Sequence, residues 1–270
     1  MQTIVFASQK GGSGKTTVAA HMAVQAVQAG FGPVAMIDTD PQGSLHGWWK
    51  LREDATPALI RSNAEELPEN LEHLCGQGYA LALIDTQPAV TDAISDVVKH
   101  ADLVVIPCRP SPHDLRAVGA TVDIVERWQK HMIFVVNSAT RRARITAEAA
   151  VALSQHGTVA PVTLHHRVDF AASMIDGRTV MDSSPGGKSA EETAALWDYM
   201  ATRLGRISQI PMPYETARLA DEGKTAFGLR NKPDGQTPPG LQTEHHAPHH
   251  NAGPRRTMSQ FGRRFHPDAG

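Results

Sequence analysis

The chain has 270 residues, with 26 Lys and Arg against 28 Asp and Glu, a formal net charge of −2. A balance so near zero excludes a global electrostatic case for nucleic-acid binding, so any such case has to be local. The 2 cysteines, Cys75 and Cys108, show no metal-ligand spacing and point to a reducing cytosol, and no apolar run approaches the roughly 18 residues of a membrane span.

Met1 leads straight into a strand predicted over 3–7, which leaves no room for a signal peptide. Ile4-Val5-Phe6-Ala7 is continuously apolar, as expected of a parallel strand covered on both faces. It runs into Lys10-Gly11-Gly12-Ser13-Gly14-Lys15-Thr16-Thr17, and a helix is predicted over 17–29. Strand, glycine-rich turn and helix start make a phosphate cradle. The glycines let backbone N–H groups approach phosphate oxygens, Lys15 adds a positive charge, and Thr16 can ligate Mg²⁺.

The next strand, 34–37, ends in Asp38-Thr39-Asp40-Pro41-Gln42-Gly43. Two acids thus emerge at a strand end, where open α/β sheets place their ligands. A third strand, 81–84, ends in Asp85-Thr86-Gln87-Pro88. An acid after four apolar residues is a Walker B pattern, suited to Mg²⁺ or its water shell. A helix over 94–100 and a strand over 103–106 follow, then Pro107-Cys108-Arg109-Pro110-Ser111-Pro112 and a helix over 112–129. The strand 133–136 ends at Asn137, which reads equally as a helix cap. Thr140-Arg141-Arg142-Ala143-Arg144 places three arginines at a loop and helix start, with no acid in the run. They can serve as phosphate contacts or as a solvated helix start. A helix over 145–155, a short strand over 158–161 and a closing helix over 189–204, capped by Ser189, complete the pattern. His165 and His166 read as surface or interface residues.

Strand–helix alternation predicts an α/β fold, a doubly wound, mostly parallel sheet with helices on both faces. Residues 1–209 form the predicted ATPase domain. Residues 210–270 are rich in Pro, Gly and His, and read as a partly basic, poorly ordered tail with a short helix around 214–222.

The K-G-G-x-G-K-T-T form resembles the deviant Walker A box of the ParA/MinD family of ATPases, closest to the small plasmid-partition type. The likeness spans about 1–204. It implies ATP and Mg²⁺ as ligands and cradle contacts from Gly11, Gly12, Ser13, Gly14, Lys15, Thr16 and Thr17. Lys10 then reaches across a homodimer to the partner's nucleotide, Asp38 and Asp85 with Thr16 lie near the metal, and Asp40 positions the attacking water. Asn137 matches an Asn that reads the adenine edge. Gln87 stands where the family usually has Pro. Phe170-Ala171-Ala172-Ser173-Met174-Ile175-Asp176-Gly177 also resembles the small partition subfamily.

The same resemblance implies cytoplasmic, nucleoid-associated action, with no membrane contact. The ATP-bound dimer binds DNA without sequence preference, through Arg141, Arg142 and Arg144 extended by Arg167 and Lys188. A ParB-like or small centromere-binding partner triggers hydrolysis and release. The leading reading is partition of plasmid or chromosomal DNA. A protein cargo moved by the same mechanism, or division-site regulation of the MinD kind, is the alternative.

Overall fold

The structure, a computed structural model, describes residues 1–88 and 92–209. The tail and its short helix lie outside the described residues. In chain order the elements are β1 (Gln2–Phe6), α1 (Lys15–Gln28), β2 (Val34–Asp38), α2 (Ser44–Trp49), β3 (Ala58–Arg61), α3 (Leu67–Gly76), β4 (Leu81–Asp85) and α4 (Asp92–Val98). Then come β5 (Leu103–Cys108), α5 (Pro112–Arg127), β6 (His131–Val136), α6 (Arg144–Ser154), β7 (Thr158–Val159), α7 (Val168–Met174), α8 (Val180–Ser183) and α9 (Lys188–Gln209).

The seven strands pair in the order β3-β2-β4-β1-β5-β6-β7, and each printed pairing is parallel. The central strands are mostly apolar because helices cover both faces. Ile4, Phe6, Met36, Leu83 and Val105 are buried. Helix α1 crosses β2, β4, β1 and β5 and carries α9 on its outer side. Sandwiched this way, it is buried nearly all round, and Ala19, Ala20, Ala23 and Ala26 allow that close packing. Phe31 and Trp197 meet edge to face at 5.2 Å where α1 ends against α9.

The chain leaves β1 toward β2 and β3, returns to β4, and then crosses to β5 on the other side of β1. That reversal is the switch point at which doubly wound sheets open a crevice at the carboxyl ends of their strands. The ends of β1, β2, β4 and β5 carry the candidate site.

Several elements differ from expectation. Strand β3 and helices α2, α3, α7 and α8 are additional to the predicted set. Strand β7 has two residues, not the four of 158–161. Helix α9 starts one residue early, with Glu191 N–H donating to Gly187 O, so Ser189 is not its cap. Its hydroxyl donates instead to Asp169 Oδ2 at 3.0 Å.

Candidate nucleotide-binding site

The glycine-rich turn connects β1 to α1. Gly12 and Gly14 hold φ of +73° and +98°, a region that favours glycine. Gly14 has a second reason to lack a side chain. A Cβ there would lie 2.1 Å from Asn137 Nδ2, which donates at 2.7 Å to Ser13 O. Asn137 therefore braces the turn across the sheet. Its amide nitrogen carries a second N–H, and the side chain also lines a cavity of about 220 Å³ bounded by Gly12, Gly14, Thr17 and Phe170.

Two acids meet because of strand register. Asp38 ends β2 and Asp85 ends β4, and they are register partners on adjacent parallel strands. Both are buried. Asp38 is held by backbone: its Oδ1 accepts from Asp40 N–H at 3.1 Å and its Oδ2 from His46 N–H at 2.8 Å. Burial raises its pKa above the ordinary carboxylate value, and those two N–H donors oppose the rise. Asp85 Oδ2 accepts from Thr16 Oγ1 at 2.6 Å, joining the start of α1 to β4. Burial pushes the Asp85 carboxyl up to about 7, against the pull of the Thr16 hydroxyl and the Lys15 ammonium. Lys15 is buried as well, and desolvation lowers its pKa while Asp85 and Asp40 counter it. Asp40 stands half-exposed in a tight turn, its Oδ1 accepting from Gln42 N–H at 2.9 Å. Lys10, Gly11 and Gly12 are exposed, and Thr17 is half-buried on α1.

Asp85 Oδ1 and Ser13 Oγ are buried with no hydrogen-bond partner among the described residues. An unpartnered buried carboxylate oxygen is costly, and a bound cation would satisfy it. The oxygen donors of Thr16, Asp38 and Asp85 suit a small hard cation such as Mg²⁺. No cluster of three or more His, Cys, Asp or Glu side chains able to hold a metal occurs among the described residues. A cation here would share its shell with a hydroxyl, phosphate oxygens and water, the usual habit of Mg²⁺.

The basic residues do not form the uniform set expected of them. Arg141 and Arg142 are exposed, with Arg142 at φ +58°. Arg144 is exposed but pairs with Glu148 one turn on, at 2.5 Å. Arg167 is mostly buried and paired with Glu192. Its guanidinium ties the start of α7 to α9. Lys188 is exposed at the start of α9. His165, read as a surface or interface residue, is half-buried and its Nδ1 lies 2.8 Å from Glu192 Oε1. His166 Nδ1 lies 3.1 Å from Ser138 Oγ.

A glycine turn between a buried parallel strand and a helix, with a lysine, a hydroxyl and two strand-end acids behind it, defines a P-loop nucleotide-binding protein. The chain belongs to the CobQ/CobB/MinD/ParA nucleotide-binding domain family (CbiA), which matches residues 4–180. It is 32% identical over 211 residues to "Maintenance of carboxysome distribution protein A" of Gloeobacter kilaueensis, an overlap covering 76% of this chain and 94% of the relative. It is 28% identical over 263 residues to "Protein IncC" of Escherichia coli, covering 77% and 71% respectively. Among solved structures, the MinD cell division protein of Aquifex aeolicus superposes with a TM-score of 0.64 at 16% identity, over 75% of this chain and 97% of that one, a likeness of fold. The ParA and MinD members of the family are ATPases. No helix among the described residues is long and apolar enough to cross a membrane.

Proposed function

We propose that the protein is an ATP-dependent dimer switch that binds DNA without sequence preference and partitions plasmid or chromosomal DNA over the nucleoid. A ParB-like or small centromere-binding partner stimulates hydrolysis and release. Residues 1–209 serve as the ATPase unit and 210–270 as an appended tail. The observation that carries the reading is the partly buried Thr16–Asp85 hydrogen bond beside Asp38 and Lys15, with Lys10 exposed in the same turn.

Phosphoryl transfer needs little covalent help; it needs positioning and charge neutralisation. Backbone N–H groups of 11–17 hold the phosphates and Lys15 balances their charge. Thr16, Asp38 and Asp85 would hold Mg²⁺, which would supply further neutralisation of the phosphate charge. Asp40, half-exposed at the mouth, orients the attacking water. Lys10 is free to meet a phosphate carried by a second copy, so assembly depends on the triphosphate.

A protein cargo carried on the same DNA track is the second reading, favoured by the carboxysome-distribution name of the Gloeobacter relative. Cargo choice lies in the partner and leaves the nucleotide site unchanged. Static light scattering of the parent protein in ATP and in ADP tests the switch. The expected result is a dimer in ATP and a monomer in ADP, with Lys10→Ala binding ATP yet staying monomeric. A parent that keeps one mass in both nucleotides would sink the switch.

A further inference from the structure

An arginine outside the glycine-rich turn faces it from the end of β5. Arg109 Nε donates to Asp114 Oδ1 at 2.9 Å, and Nη2 donates to Asp114 Oδ2 at 3.3 Å. Asp114 is 4% exposed and belongs to the first turn of α5. Ser111 Oγ donates to Asp114 Oδ2 at 2.5 Å, and the same hydroxyl accepts from Asp114 N–H at 3.2 Å, which fixes the carboxylate. The acid thus engages two of the three guanidinium nitrogens. The third, Nη1, lies 3.8 Å from where a Cβ on Gly12 would stand. The Arg109 side chain is 38% exposed, so the guanidinium borders the turn without being sealed in the core.

This geometry has a chemical meaning. A bidentate arginine–carboxylate pair fixes the plane of the fork, so the free arm has a defined direction. Asp114 cancels the arginine's charge at long range, which makes the free N–H donors useful only at contact. Phosphate oxygens are the acceptors that a glycine-rich turn brings to contact distance.

We propose that Arg109 is a further phosphate-binding residue of the nucleotide site, with Asp114 as its positioning residue. Its Nη1 donates to the phosphate chain of a nucleoside triphosphate, held either by its own glycine-rich turn or by that of a second copy. The proposal rests on the switch reading above and adds the residue that senses the longer phosphate chain.

The test compares the parent with Arg109→Met, Arg109→Lys and Asp114→Asn by titration with fluorescent ATP and ADP analogues and by light scattering. If the contact is within one copy, Arg109→Met weakens ATP binding about tenfold while ADP binding changes little, the loss of one charge-assisted hydrogen bond. If the contact crosses between copies, binding to the monomer is unchanged and ATP-driven assembly needs about tenfold more protein. Either result supports the proposal. Arg109→Lys keeps the charge but makes no fork, so it should not restore the parent value. Asp114→Asn should move the same readout in the same direction by less. An Arg109→Met protein that matches the parent in ATP-over-ADP preference and in assembly, even with a lowered melting temperature, overturns the proposal alone. A parent that binds neither nucleotide overturns this proposal and the switch reading together.

Discussion

Thr16 Oγ1 and Asp85 Oδ2 stand 2.6 Å apart, so the first turn of α1 is tied to the end of β4. The bond leaves Asp85 Oδ1 buried without a partner among the described residues. A site built this way is unfavourable when empty and improves when a cation arrives.

That relationship has a pH signature. Burial lifts Asp85 to about 7 in the folded protein, against 3.8 as its ordinary value. Between those values the folded state holds a proton that the unfolded chain has lost. Stability of the nucleotide-free protein therefore falls as pH rises through this window, and the loss is complete above about 7. Asp85→Asn removes this contribution while its amide oxygen still accepts from Thr16. Its melting temperature should decline less than the parent's from about pH 4 to about pH 7. Asp38, also raised by burial, acts in the same direction in both proteins. Equal slopes in thermal melts across that range would show that burial of Asp85 does not operate as described.

A second prediction concerns the turn before α8. Gly177 has φ +77°, and a Cβ there would stand 2.2 Å from Arg52 N and 2.3 Å from Leu51 C. Both are backbone atoms that cannot rotate away. Arg52 in turn bridges to Asp182 at 2.8 Å, and Trp48 Nε1 donates to Arg178 O at 3.0 Å. Gly177→Ala should therefore cost roughly 2–4 kcal/mol, left-handed strain plus overpacking. Gly30 shares a positive φ of +72° but has open space around it, so Gly30→Ala should cost only about 1 kcal/mol. Denaturant midpoints of the two variants decide the matter. Similar losses would mean that the 177–182 segment yields instead of clashing.

The sequence displays those parts of the fold whose signal is local. β1, β2, β4, β5 and β6 are each built around a continuous apolar run, so each shows as a buried strand, and Asp38 and Asp85 show as acids at strand ends. β3 is four residues long and only partly buried, and α2 has six residues, so neither carries enough period to be seen. Through-space partners are hidden for another reason. Asn137 meets Ser13 across 124 residues, and Arg167 meets Glu192 across 25. The Arg144–Glu148 pair, by contrast, has i,i+4 spacing and lay open to inspection.

Asn137 gives a prediction that separates two roles. As a brace, its amide stabilises the turn whichever base is bound. Asn137→Ala should then weaken ATP and GTP binding alike, each by about tenfold, the usual size of one lost buried hydrogen bond. As a reader of the adenine edge, it would cost ATP alone. Competition titrations with both nucleotides measure the difference, and a selective loss for ATP would restore the base-reading role.

The proposed DNA face can be dissected because its arginines differ in their surroundings. Arg141 and Arg142 are exposed and take part in no ion pair found among the described residues. Arg144 divides its charge with Glu148, and Arg167 is committed to Glu192. Contacts with phosphate release counterions, so each lost contact lowers the slope of log affinity against log salt by about one. In the ATP-bound form, Arg141→Ala with Arg142→Ala should weaken binding to unrelated duplexes equally and flatten that slope by about two for each copy engaged. Arg144→Ala should have the smaller effect, since its guanidinium is already engaged by Glu148. Arg167→Ala should lower stability by about 1–3 kcal/mol, because it leaves Glu192 partly buried without its guanidinium. Fluorescence anisotropy at several salt concentrations, paired with thermal melts, measures both quantities. Should Arg167→Ala melt like the parent and abolish DNA binding, its guanidinium leaves Glu192 for phosphate, and the structural role assigned to it falls.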